Sequence, residues 1–213
     1  METVIWSRLE NERAGTPLLL MLHGYGSDES RMSALFPGMP AGFTCAAPRA
    51  PMDISGDWGW FLLDYFLAND FAEVVGAATK VLAWLDAEMA KHHFSSVSVM
   101  GFSQGMAMAT TLIRLRPEMF TAGVGLSGFV LHNELLATME PLARKVPFIW
   151  ARDPQDLVIN PDATEFTAEW LAANTDLQHA RYDGLGHNTS AEELADVASF
   201  LTANVPGSFV PRA

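Results

Sequence analysis

Residues 96–110 read "SVSVMGFSQGMAMAT". The stretch passes from alternating β-branched residues, through one serine between two glycines, into a run of small and sulfur-bearing residues. Val97–Met100 predicts a strand, and the residues after Ser103 predict a helix to about Arg116, stopped by Pro117. So short a connection needs close approach of strand and helix. Gly101 and Gly105, two residues either side of Ser103, remove the side chains that would collide there and leave the hydroxyl raised on the bend. A bare G-x-S-x-G string arises often by chance. A strand before it and a helix after it give the string its meaning, since parallel sheets carry their functional loops at the carboxyl ends of strands.

Outward from this stretch, β-type runs alternate with helical periodicity. Strands are expected at Val4–Ser7, Leu18–Leu22, Phe43–Ala46, Val124–Leu126, Pro147–Ala151 and Leu177–Tyr182. The clearest helix covers 70–92, with Phe71, Val74, Val75, Ala78, Val81, Leu82, Leu85 and Met89 on one face and Asp70 and Glu73 spaced as a capping box. Further helices are expected at Ala163–Ala173 and after Ser190, where Glu193 completes a second box. Strands alternating with helices imply an α/β protein with a mainly parallel sheet covered on both faces, as one domain over 1–213. "LFPGMPAGF" reads as a surface loop and the tail "VPGSFVPRA" as a loosely held end.

Composition narrows the function. Of 213 residues, 49% are apolar and 18% charged, which suits a packed domain and excludes a disordered one. Thirteen basic against 25 acidic residues give a net charge of −12 with no basic cluster, so nucleic acid is excluded as a partner. The N-terminus lacks a basic start followed by an apolar segment, and "LLLML" is too short to span a bilayer; a cytoplasmic protein without a membrane span is expected. Cys45, the single cysteine, rules out an internal disulfide and a multi-cysteine metal site, and its setting in "FTCAAP" predicts a buried strand thiol.

A serine hydroxyl is a poor nucleophile at neutral pH, so Ser103 needs a base, a group to orient that base and donors for the developing oxyanion. "YDGLGHNTS" supplies His187, in a glycine-containing loop after the final strand. His92 and His93 close a helix, His132 and His179 lie in ordinary polar contexts, and His23 belongs to an earlier loop. "ARDPQDLVINP" offers two acids as its strand ends. Asp153 precedes a proline and could simply shape the loop, whereas Asp156 is followed by Leu157, Val158 and Ile159, which could pin it; Asp156 is preferred, though composition alone leaves both open. Oxyanion donors are expected from the backbone N–H of Gln104, next to the serine, and of Tyr25 in "LLLMLHGYGSDE", where Gly24 and Gly26 let the chain turn inward.

Four motifs together, "LHGYGSDE" at 22–29, "GFSQG" at 101–105, "WARDPQDLVI" at 150–159 and "GLGH" at 184–187, resemble the α/β-hydrolase superfamily. More narrowly they are similar to its phospholipase/carboxylesterase branch, which includes acyl-protein thioesterases and small carboxylesterases. The resemblance spans most of the chain. It implies an α/β-hydrolase fold with minimal or no cap, Ser103 as nucleophile, Asp156 as orienting acid, His187 as base, and main-chain oxyanion donors at Tyr25 and Gln104. It implies no cofactor and no metal, and it admits a homodimer. Trp58, Trp60 and Phe61 match a family segment near the site, and Phe129 follows another strand end; Trp60 and Phe129 are therefore candidates to line an apolar substrate groove, although such aromatics are more often core.

The chain departs from the branch in the acid loop, where Ala151 or Asp153 stands for a usual glycine and Leu157 for a usual proline, and at Tyr25, where thioesterases carry leucine. "LHNELLATMEPL" could form a small cap over 132–142 or only a connection. The expected activity is hydrolysis of small-molecule carboxylic esters of small to medium acyl chains through an acyl-serine. Lysophospholipase or acyl-protein thioesterase activity is the alternative within enzymes, and a non-catalytic hydrolase-like binding protein the alternative of another class. Metal-dependent hydrolysis lacks a ligand spacing.

Overall fold

The computed structural model describes residues 1–63, 70–138 and 140–208. Its main sheet has seven strands: β1 (Val4–Trp6), β2 (Pro17–Leu22), β3 (Thr44–Pro48), β6 (Ser96–Phe102), β7 (Phe120–Leu126), β8 (Val146–Arg152) and β9 (Thr175–Arg181). They lie in the order β1-β3-β2-β6-β7-β8-β9, parallel throughout except for β1, which pairs antiparallel with β3 at one edge. All seven runs read as β-type from the sequence are strands. A small antiparallel hairpin, β4 (Met52–Ile54) with β5 (Asp57–Gly59), is an addition that the sequence did not announce.

Burial explains the central position of β2. All of its residues are buried, with Leu18, Leu20 and Leu22 in one core cluster and Leu19 and Met21 in the other. The two-residue period of a strand sends alternate side chains to opposite faces, and each fully buried leucine contributes about 1.5–3 kcal/mol. Helices α2 (Phe71–His92), α3 (Gln104–Leu115) and α5 (Pro161–Asn174) supply apolar residues to the first cluster, and α1 (Glu29–Ser33) and α6 (Ala191–Asn204) to the second. This is the α/β-hydrolase arrangement. Among the described residues, no helix is long and apolar enough to cross a membrane.

Some local expectations needed correction, and two open ones take a definite form. The two capping boxes are only half made. Asp70 accepts from the Glu73 N–H and Ser190 from the Glu193 N–H, but the Glu73 carboxylate instead accepts from the Leu62 N–H, and Glu193 has no partner for either oxygen. The tail is not loose where it is described: Val205 and Ser208 are buried, and the Ser208 carbonyl accepts from the Gly42 N–H at 3.0 Å, while 209–213 lie outside the described residues. Residues 132–142 hold only the four-residue helix α4 (Glu134–Ala137) between β7 and β8, with Met139 outside the described residues. Trp60 and Phe129, candidates for a groove although such aromatics are more often core, are 1% and 2% exposed and pack in the main core cluster.

Candidate active site

The turn between β6 and α3 is set by contacts that leave no room for side chains. A Cβ on Gly101 would lie 2.1 Å from the Gly105 backbone, and one on Gly105 would lie 2.0 Å from the Leu22 carbonyl oxygen of the neighbouring strand. Ser103 itself takes φ 54° and ψ −120°, a conformation that costs a non-glycine residue about 1–3 kcal/mol. Two bonds hold it there: the Ser103 N–H donates to the Leu126 carbonyl, and the Ser103 carbonyl accepts from the Met106 N–H, each at 2.9 Å. The hydroxyl is thereby presented above the carboxyl end of the sheet.

His187 reaches that hydroxyl. Its Nε2 lies 3.0 Å from Ser103 Oγ, and its Nδ1 lies 2.7 Å from Asp156 Oδ2. The three residues, 84 and 31 positions apart in the chain, thus form one hydrogen-bonded line. The Asp156 side chain is fully buried and its Oδ1 accepts from the Val158 N–H at 2.8 Å, so the carboxylate is held from both ends. A buried anion bonded to Nδ1–H directs the free lone pair of Nε2 at the serine, the arrangement a general base requires.

Asp153, the competing acid, faces a different partner. Its Oδ2 accepts from the Gly186 N–H at 2.7 Å and its Oδ1 from the Gln155 N–H at 2.8 Å. These backbone donors, Gly186 first, hold its carboxyl below the usual range. Asp153 therefore ties the acid loop to the loop that carries His187, where Gly184 and Gly186 adopt φ 80° and 64°. A further tie runs from Ser127 Oγ to the Asn188 carbonyl at 3.2 Å.

The oxyanion side is equally constrained. Gln104 is the first residue of α3, where backbone N–H groups have no intrahelical acceptor. Its buried side-chain amide accepts from the Trp60 N–H at 2.9 Å and donates to the Phe61 carbonyl at 2.6 Å. Trp60 in turn donates through Nε1 to the His23 carbonyl at 2.8 Å, beneath the Gly24–Gly26 turn that bears Tyr25. His23 accepts from the Ala50 N–H through Nε2 at 3.0 Å, so its Nδ1–H donates to the Gly24 carbonyl at 2.8 Å. Burial lowers the His23 pKa and keeps this ring neutral in that tautomer. The Tyr25 and Gln104 amides thus sit on segments clamped to each other through Trp60.

A cavity of about 750 Å³ opens beside these groups, lined by His23, Gly24, Arg31, Phe102 and His187 among others. Among the described residues, no group of three histidine, cysteine or acidic side chains is placed to hold a metal ion. Cys45 is buried, and burial pushes its thiol up to about 12, the setting of an inert core thiol.

Residues 9–205 match the family described as Phospholipase/Carboxylesterase. The chain belongs to this family. It is 27% identical to carboxylesterase SOBER1 of Arabidopsis thaliana over 89% of this chain and 91% of that protein. It is 26% identical to acyl-protein thioesterase 1 of Kluyveromyces lactis over 87% of this chain and 90% of that one. Among solved structures, esterase PE8 superposes with a TM-score of 0.75 at 27% identity, covering 90% of this chain and 94% of that one. A family of carboxylic ester hydrolases is the setting in which a serine, imidazole and carboxylate in one line have a chemical use.

Three roles in this site were not read from the sequence: the Gln104 side chain and Trp60 as a clamp, beside the backbone-donor and groove roles expected of them, and the His23 ring. The signal for Gln104 was its polarity in an otherwise apolar helix start. A buried amide must find partners, and here it finds both on one segment.

Proposed function

We propose that the protein is a serine carboxylesterase in which Ser103 attacks the ester carbonyl, His187 takes the hydroxyl proton and Asp156 stabilises the resulting imidazolium. The oxyanion is held by the N–H groups of Tyr25 and Gln104. The alkoxide leaves with the proton that His187 carries, and water, deprotonated by His187, releases the acid from the acyl-serine. The observation that carries this reading is the line of bonds from Asp156 through His187 to Ser103, 2.7 and 3.0 Å long. Small-molecule esters of small to medium acyl chains are the substrates, and the protein acts in the cytoplasm.

The test is a p-nitrophenyl ester series of increasing acyl length on wild type and Ser103→Ala, with stoichiometric labelling by an activated phosphonate. Loss of the nucleophile is expected to lower kcat by about 10⁶-fold, and labelling is expected on Ser103 alone. Undiminished turnover in the variant overturns the reading. The curated relatives divide between carboxylesterases and acyl-protein thioesterases, and an acyl-serine forms from either substrate. A matched thioester at each chain length therefore accompanies the series, and the larger kcat/KM names the substrate class.

A further inference from the structure

A second cavity, of about 460 Å³, lies where β8 and β9 meet the first turns of α5. Asp156 is among the residues that line it, whereas Ser103 and His187 are not. Its floor is built by strand register. Trp150 of β8 is paired with His179 of β9, and the two rings stack at 4.6 Å and 14° between planes. Two residues on, on the same face, Arg152 is paired with Arg181. Like charges set opposite each other on neighbouring strands repel unless something lies between them.

Among the described residues, neither guanidinium makes an ion pair or a hydrogen bond; the ion-paired arginines are Arg49, Arg114 and Arg116. Yet Arg152 is only 6% exposed. Its guanidinium lies over the Trp150 ring, 5.4 Å from the centroid; burial lowers its affinity for its proton, and the charges of Asp156 and Asp153 act against that. Glu165 lines the opposite wall but forms no ion pair with either arginine, so a gap remains between the opposed charges. One donor at the floor is orphaned: the Trp150 indole Nε1–H is buried without an acceptor. Burial, followed by the charges of Arg181 and Arg152, lowers the His179 pKa.

The remaining wall is apolar. Pro154, Leu157, Ile159 and Pro161 line it, and Leu157 is 96% exposed at its rim. An orphan donor and cations on one side with hydrocarbon on the other describe a receptor for an amphiphilic anion. We propose that this cavity binds an organic carboxylate with a short apolar body, its carboxylate between Arg152 and Arg181 and its hydrocarbon against Leu157 and Ile159. The proposal stands apart from the ester-hydrolysis reading and does not require Ser103. If that reading holds, the released acid is itself a member of the ligand class, and the wall it would touch is the loop that carries Asp156.

The test is calorimetric titration with hexanoate, using hexanol and inorganic phosphate as comparison probes, while the Trp150 indole N–H is followed by ¹H–¹⁵N NMR and assigned with Trp150→Phe. Hexanoate is expected to bind saturably and to move the Trp150 resonance. Arg181→Gln, at an exposed edge-strand position, is expected to weaken binding about tenfold or more. Glu165→Gln, which removes the opposing carboxylate from the exposed face of α5, is expected to strengthen it, so the two variants move affinity in opposite directions. Saturable binding that ignores both variants, hexanoate binding that leaves the Trp150 resonance in place, or the absence of saturable binding overturns the proposal. Hexanol binding as tightly as hexanoate removes the anion from it, and phosphate binding as tightly removes the hydrocarbon. Ester turnover is not a readout here, so failure of this experiment and failure of the Ser103 labelling are separate results.

Discussion

The serine turn and the acid loop solve one problem, the placement of a functional group above the sheet, by opposite means. At the turn, backbone packs on backbone: Gly101 against Gly105, and Gly105 against the Leu22 carbonyl, so closely that neither glycine has room for a Cβ. In the acid loop, side chains hold backbone: Asp153 captures Gln155 and Gly186, and Asp156 captures Val158, while Leu157 and Val158 are 96% and 60% exposed. Steric exclusion tolerates no change at its contact points. Hydrogen-bonded loops lose one bond at a time and degrade gradually.

That contrast ranks the consequences of mutation. Of the two carboxylates in the loop, the larger effect falls on the one bonded to His187. Asp156→Asn keeps the shape of the side chain but removes the anion that selects the His187 tautomer, and kcat on a p-nitrophenyl ester is expected to fall about 10⁴-fold with the melting temperature little changed. Asp153→Asn, measured beside it, keeps only one of the two bonds accepted from Gln155 and Gly186, because an amide has a single acceptor oxygen and sets its NH2 against the other N–H; its loss is expected to be about tenfold, because it disturbs the position of His187 rather than its charge state. Equal losses in the two variants would erase the distinction between an orienting acid and a loop-shaping one.

Gly105→Ala tests the steric side. A Cβ placed 2.0 Å from a carbonyl oxygen and 2.7 Å from its carbon cannot be absorbed by rotating a side chain, since the colliding atoms are the Leu22 backbone in the centre of the sheet. The cost is expected to be about 3 kcal/mol or more, read as a fall in the midpoint of chemical denaturation. A variant that unfolds at the wild-type denaturant concentration would show that the turn has slack that the packing denies. Gly184→Ala, in the His187 loop, meets nothing within 4 Å and pays only for its positive φ, so about 1 kcal/mol is expected there.

What could be read from the sequence follows the same division. The serine turn was legible because its cause is local: two glycines, two residues either side of Ser103, between a strand and a helix. The order of Ser103, Asp156 and His187 was legible for a related reason, since loops at strand ends can be counted along the chain. Asp153 was left as an alternative acid because its deciding contact, the Gly186 N–H, is 33 residues away. The Gln104 clamp on Trp60 and Phe61 spans 44 and 43 residues and has no local trace. Trp60 and Phe129 show the converse: aromatic residues beside a site are marked by composition, but whether they face a groove or the core is decided by packing that only tertiary structure specifies. The β4–β5 hairpin escaped notice because its three-residue strands are too short to show a period.

An effect confined to higher pH belongs to a residue whose local signal was misleading. Ser190 and Glu193 have the spacing of a capping box, yet the Glu193 carboxylate does not return to the helix start; it is fully buried with both oxygens unpartnered. Burial pushes its pKa up to about 7, against an ordinary 4.5. Because the folded state then holds the proton more tightly than the unfolded chain, the protonated form contributes fully below about pH 4.5, and stability declines as pH rises from there through about 7. Glu193→Gln removes the ionisable group, so this component of the decline disappears, and at pH 8 the variant is expected to be more stable than wild type by about 1–2 kcal/mol. Denaturant titrations of both proteins at pH 5 and pH 8 decide it: the difference between them must grow with pH. A constant difference would mean that the Glu193 carboxylate finds a partner in solution, and that the half-made cap at Ser190 is completed after all.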